Sequence, residues 1–152
     1  MSKSLTDLRK KIDDIDRQLH TLIMKRSEVI DKITEHKQQE DSQTVQPSRE
    51  TEIMRSLKKN HKGNMALPAI LRIWREMIGA ALIQQKAGKV AVTHPENGSG
   101  VYWDMAKSYF GSAMPMVKHI STLTAFSAIR EGEAQFAILP WPQDGDEKPM
   151  VG

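Results

Sequence analysis

With 152 residues, 39% hydrophobic and 27% charged, the chain has room for one ordinary globular domain or two small ones and lacks a disordered composition. No apolar run approaches a membrane span and the Met1-Ser2-Lys3-Ser4 start carries no secretory core, so a cytoplasmic protein with no membrane partner is predicted. The absence of cysteine excludes disulfides and thiolate metal sites, and a net charge of +3, with 22 cations interleaved among 19 acids, argues against a nucleic-acid partner.

From Ser4 to about Asp41 there is neither glycine nor proline, which predicts one helix of roughly 36 residues, about 54 Å long. Ser4 and Asp7 form a capping-box-like start. Leu5, Leu8, Ile12, Ile15, Leu19, Leu22, Val29 and Ile33 recur at steps of three and four, with Arg26 standing in the same stripe. A helix longer than a small domain is wide, with one narrow apolar stripe, needs other helices to cover it, so an oligomer is expected. Gln38 to Gln46 reads as a polar connector, and Pro47 and Ser48 open a second helix carrying Ile53, Met54 and Leu57 that ends by Gly63. Pro68 sits in the first turn of a third helix, with Ile70, Leu71, Trp74, Met77, Ile78, Ala81 and Leu82 on its apolar side and Gly88 as its stop.

Beyond Gly88 the pattern becomes strand (Lys89 to Thr93), helix (Val101 to Phe110), strand (Val117 to Ile120), helix (Thr122 to Glu131) and strand (Gln135 to Leu139). The chain is therefore read as an all-α three-helix domain over residues 1–87 and a small βαβαβ α/β segment with a parallel or mixed sheet over 88–140. Residues 141–152, rich in proline, glycine and acids, read as a flexible tail.

The polar residues on the oily stripes mark a candidate site. A guanidinium cannot shed its charge, so Arg26 in an apolar seam needs an anion, from the protein or from a ligand. Lys37 lies eleven residues on, about three turns and roughly 16 Å along the same face, so two long cationic side chains can hold a small dianion between them. Gln85 is the next member of the Leu71, Trp74, Ile78, Ala81 seam, an amide in an apolar place. Arg49 and Glu50 open the second helix, where free amides and helix polarity favour anions. Arg9 precedes Arg26 by 17 residues, about 25 Å, too far for one small ligand to touch both in one chain. An antiparallel partner helix would return a second subunit's Arg9 to Arg26 and Lys37. Each residue also has a plainer reading: Arg26 as half of a buried ion pair, Arg9 and Lys37 as solvated charges, Gln85 as an exposed helix end, Glu50 as a helix-start acid. Among these groups none is a nucleophile or a general base; they bind and polarise anions. His20, His36, His61, His94 and His119 show no metal-ligand spacing, so no metal is expected.

Over about Leu5 to Gln85 the chain resembles the all-helical class of chorismate mutases, through Leu8-Arg9-Lys10-Lys11-Ile12-Asp13-Asp14-Ile15-Asp16, Lys25-Arg26, Lys37, Ser48-Arg49-Glu50-Thr51-Glu52-Ile53 and Trp74-Arg75-Glu76-Met77-Ile78 leading to Gln85. The resemblance implies an intertwined helical homodimer with two sites, each taking Arg9 from the other subunit. It implies rearrangement of chorismate to prephenate, on the route to phenylalanine and tyrosine, without metal, cofactor or covalent intermediate. By the same resemblance Arg26 and the partner copy of Arg9 clamp the substrate carboxylates, Lys37 and Gln85 bond the ether oxygen, Glu50 holds the ring hydroxyl and Arg49 supports the site by charge. Gln46 and Ala81 depart from the pattern, standing where the family often has aspartate and serine; this predicts weaker substrate binding, with Gln46 a peripheral contact.

The second half resembles the opening of a prephenate dehydratase catalytic lobe, through Pro95-Glu96-Asn97-Gly98-Ser99-Gly100-Val101-Tyr102, Phe110-Gly111 and Gly132-Glu133-Ala134-Gln135-Phe136-Ala137 before Leu139-Pro140. Trp141-Pro142 replaces the polar pair expected there, the threonine–arginine–phenylalanine signature is absent, and the chain ends before a second lobe, so no dehydratase activity is expected. The alternative to an active mutase is a degenerate one serving as a regulatory or aromatic-metabolite-binding module, which the Gln46 and Ala81 departures favour.

Overall fold

The computed structural model describes residues 4–40, 46–94 and 100–141; residues 41–45 of the expected connector, Pro95 to Ser99 of the glycine-rich loop and the tail from Pro142 lie outside the described residues. In chain order the elements are α1 (Leu5–Glu40), α2 (Pro47–Asn60), α3 (Leu67–Gln84), β1 (Val90–Thr93), α4 (Val101–Phe110), β2 (Met116–His119), α5 (Thr122–Arg130) and β3 (Phe136–Ile138). An all-α region is thus followed by a small three-stranded α/β segment, as the periodicity predicts.

The chain falls into two compact units, Met1–Val45 and Gln46–Gly152. The first is α1. Its start is the expected reciprocal cap: the Asp7 amide donates to Ser4 Oγ at 3.2 Å and the Ser4 amide donates to Asp7 Oδ2 at 3.3 Å. Its apolar stripe faces solvent in the single chain, with Leu5, Leu8, Ile12, Ile15, Leu19 and Leu22 each between 46% and 63% exposed.

In the second unit, prolines in the first turns of α2 and α3 set the helical φ where an amide hydrogen has no partner to lose. The end of α3 differs in detail from the sequence reading, which placed the stop at Gly88. The first left-handed residue comes two positions earlier, on Lys86 at φ 54°, and Gly88 follows with its own positive φ of 96°. The Lys86 amide donates to Ile83 O and the Ala87 amide to Leu82 O, both at 2.9 Å, the two bonds of a Schellman turn. Ala87 and Leu82 are both buried, the hydrophobic contact that offsets a lysine in a conformation costing about 1–2 kcal/mol for a residue with a Cβ.

The sheet is fully parallel with order β2-β1-β3, Ala91 of β1 lying beside Val117 of β2 and Ala137 of β3. β1 is central and buried throughout, which explains why Val90-Ala91-Val92-Thr93 shows no polar alternation. The first crossover runs from β1 out to β2 through α4 and the second returns from β2 past β1 to β3 through α5, so the two run in opposite directions and place α4 and α5 on opposite faces when both are right-handed. On the α5 face Ala91, Ala125, Ala128 and Ala134 form a small-residue core flanked by Ile129, Ala137 and Leu139.

Close polar and backbone contacts join α3 to the α/β segment. The Ser112 amide and hydroxyl, just past the end of α4, donate to the Glu76 carboxylate at 2.9–3.0 Å. One turn along, Gly79 is buried against the Phe110 carbonyl so closely that a Cβ would stand 1.9 Å from the oxygen. Gly79→Ala should therefore destabilise the protein by about 2–3 kcal/mol, at the upper end of the overpacking range, in a urea or thermal melt. A melt unchanged from the parent would show that α3 and α4 do not pack backbone to backbone.

Candidate active site

α1 carries three of the predicted groups on one uninterrupted helix. Arg9 is exposed, while Arg26 and Lys37 are half-buried. Because no break intervenes between Leu5 and Glu40, the eleven-residue spacing keeps Arg26 and Lys37 on one face, and the 17-residue spacing keeps Arg9 far up the helix.

The remaining predicted groups belong to the second unit. Gln46 is exposed at the N-cap of α2 and its side chain makes no cap bond. Arg49 turns to solvent and pairs with Glu52 at 3.0 Å, both side chains about two-thirds exposed, a bridge worth under about 1 kcal/mol. Its neighbour Glu50 points the other way and is only 8% exposed. Gln85 is the C-cap of α3: its Nε2 donates to the Ala81 carbonyl at 3.1 Å, and its Oε1 is buried without a hydrogen-bond partner. One N–H of the amide is thereby held by the helix and the second remains to donate elsewhere.

Glu50 has a partner that sequence reasoning missed. Its Oε2 accepts from Arg75 Nη1 at 3.0 Å, with side-chain exposures of 11% for Glu50 and 23% for Arg75. Arg75 sits beside Trp74 of the apolar seam, and a buried helix-start acid demands a nearby cation, but nothing local selects this one from 25 residues away. The guanidinium in turn lies over the Tyr109 ring of α4, 4.3 Å from its centroid. An open cleft of about 380 Å³ beside this pair is lined by Arg72, Arg75, Glu76, Asp104, Lys107, Ser108 and Ser112, none of them among the sequence-predicted site residues.

The phenol of Tyr109, a residue 41% exposed overall, is held above its ordinary pKa of 10.0, chiefly by its partial burial and next by the negative charge of Glu50; Arg75 opposes the shift. Since the neutral form is the one favoured in the fold, the associated stability is present below pH 10.0 and is lost as the pH rises through the raised value.

Among the described residues no group of three or more histidines and acids is placed to hold a metal ion, and no helix is long and apolar enough to cross a membrane.

Residues 8–86 match the chorismate mutase type II family model, slightly more than half of the chain, and the chain therefore belongs to that family. Two curated relatives are similar over most of its length, both named bifunctional chorismate mutase/prephenate dehydratase. The one from Aquifex aeolicus is 27% identical over 142 residues, covering 91% of this chain and 39% of that protein. The one from Pseudomonas aeruginosa is 25% identical over 142 residues, covering 90% of this chain and 38% of that protein. The chain thus spans about two-fifths of the length of these relatives.

In an alkaline absorbance titration, the component assigned to Tyr109 by its loss in Tyr109→Phe should rise above pH 10.0 and move down in Glu50→Gln. A Tyr109 component at or below pH 10.0 in the parent would contradict the burial and charge environment described here.

Proposed function

We propose that this protein is a chorismate mutase, rearranging chorismate to prephenate. The observation that carries the reading is the family match over residues 8–86, within which Arg9, Arg26, Lys37, Glu50 and Gln85 all lie. The reaction breaks one carbon–oxygen bond and forms one carbon–carbon bond within a single molecule, so no proton donor, nucleophile or cofactor is demanded of the protein. Its demands are a compact substrate conformer and stabilisation of the negative charge that grows on the ether oxygen.

In this reading Arg26 and the partner copy of Arg9 grip the two carboxylates and so hold the reacting carbons together. Lys37 and the free N–H of Gln85 donate to the ether oxygen, Glu50 accepts from the ring hydroxyl, and Arg49 raises the local positive potential. Gln46 is a peripheral contact, and Ala81 supplies no hydroxyl to the substrate. A homodimer is part of the proposal: the exposed stripe of α1 supports it, since a soluble helix with six aliphatic side chains 46–63% exposed gains most by pairing with another copy. The functional boundary proposed is the sequence-derived one, a mutase part over 1–87 and an α/β part from 88. The alternative of a binding module on a mutase fold draws on the Gln46 and Ala81 departures from the family pattern.

Purified protein should consume chorismate, followed as loss of its absorbance, and Arg26→Ala should abolish the loss. Lys37→Ala should lower turnover by about a hundred-fold, the scale set by losing one donor to a developing oxyanion, with a smaller effect on KM. No turnover by a folded parent protein would favour the binding-module reading, and unchanged turnover in Lys37→Ala would remove its assigned role.

The trans arginine has its own test. Arg9→Ala and Arg26→Ala chains, each inactive alone, should recover about a quarter of parental activity when unfolded, mixed equally and refolded together, because half the dimers are mixed and each has one intact site. No recovery would place Arg9 and Arg26 in the same chain's site, and an Arg9→Ala chain active by itself would place Arg9 outside the site.

A further inference from the structure

The Glu50–Arg75 pair does not end within the family-matched region. Arg75 is sandwiched between Glu50 of α2, at 3.0 Å, and the ring of Tyr109 on α4, at 4.3 Å from the centroid. A guanidinium stacked on an aromatic face has its plane fixed, so its N–H donors project in set directions from the edge. The ring is itself held in place by contacts that do not involve it: Ser112 on Glu76 and the Phe110 carbonyl on Gly79 fix the C-terminal end of α4 against α3. Without the ring, the arginine borders a cleft where Glu76 and Asp104 offer alternative carboxylates.

We infer that Tyr109 is a positioning residue for Glu50, acting through Arg75, so that the α/β segment holds in place a carboxylate of the mutase site. This rests on the mutase reading above, in which Glu50 accepts from the substrate's ring hydroxyl. An ionised carboxylate has about four lone-pair sites, so one bond from Arg75 orients Glu50 and leaves it able to take the hydroxyl. Position Tyr109 lies outside residues 8–86, so the matched region by itself lacks this support.

The test is a double-mutant cycle in kcat/KM for chorismate on the full chain, combining Tyr109→Leu with Glu50→Gln. Tyr109→Leu alone should lower kcat/KM by about ten-fold, and by less than about two-fold in the Glu50→Gln background, since positioning has no effect once the positioned carboxylate is gone. Tyr109→Phe, which keeps the ring beneath the guanidinium, should restore most of the loss and guards against misfolding of the leucine variant. Equal losses in both backgrounds, or no loss with Tyr109→Leu, would overturn the inference while leaving the mutase reading intact. A parent chain with no turnover would overturn both.

Discussion

A carboxylate buried at the start of α2 is the constraint around which the second unit is arranged. Glu50 is 8% exposed, and an ionised acid so far from water needs a cation with good geometry or its desolvation cost is uncompensated. Arg75 supplies it, which ties α2 to α3 at a defined height, since the two side chains meet at 3.0 Å. Such a pair contributes little net stability over a well-packed apolar alternative, yet losing either member would strand a buried charge at a cost of about 3–5 kcal/mol. Its consequence is therefore specificity of arrangement. The remaining face of the guanidinium is covered by Tyr109, and this draws α4 into the same cluster.

α3 serves two surfaces at once. Leu71, Trp74, Ile78, Ala81 and Gln85 follow the seam read from sequence, while Arg75, Glu76 and Gly79 form a second strip that meets α4 and the turn after it. The two strips are interleaved in sequence because successive helical residues are about 100° apart. For this reason the α/β segment is not a bead on a linker in the second unit. Its first helix rests on the last helix of the family-matched region through a backbone approach that only glycine permits. The sheet then needs little more than its buried central strand and a compact alanine-rich face to α5.

Chemically, the family assignment and the arrangement of charges agree on the kind of work involved. In the proposed reading, arginines, a lysine, an amide and a paired carboxylate would orient and polarise an anionic substrate without forming a covalent intermediate. The N–H of Gln85 that the helix already holds and the Glu50 carboxyl that Arg75 already orients are both restrained before any ligand arrives. Under the proposed mutase reading, restraint of this sort would lower the reorganisation required at the transition state.

Local rules were sufficient for the elements. The Ser4–Asp7 cap, the unbroken run to Glu40 and the prolines opening α2 and α3 are signals contained within a few residues, and the observed ends fall within a few positions of them. Helical spacing alone placed Arg26 and Lys37 on one face and Arg9 far from both. What lay beyond the sequence were the long-range choices. Arg75 as the partner of Glu50 is 25 residues away, and Tyr109 arrives through a strand and a loop, because only packing of α4 on α3 brings it there. The same is true of Gly79, whose need for a missing side chain comes from the Phe110 carbonyl, and of Lys86, which adopts the left-handed conformation because Ala87 and Leu82 must bury together. Periodicity and caps act over one or two turns and so can be read from the chain; contacts between elements depend on which faces meet, and that was decided by the tertiary fold.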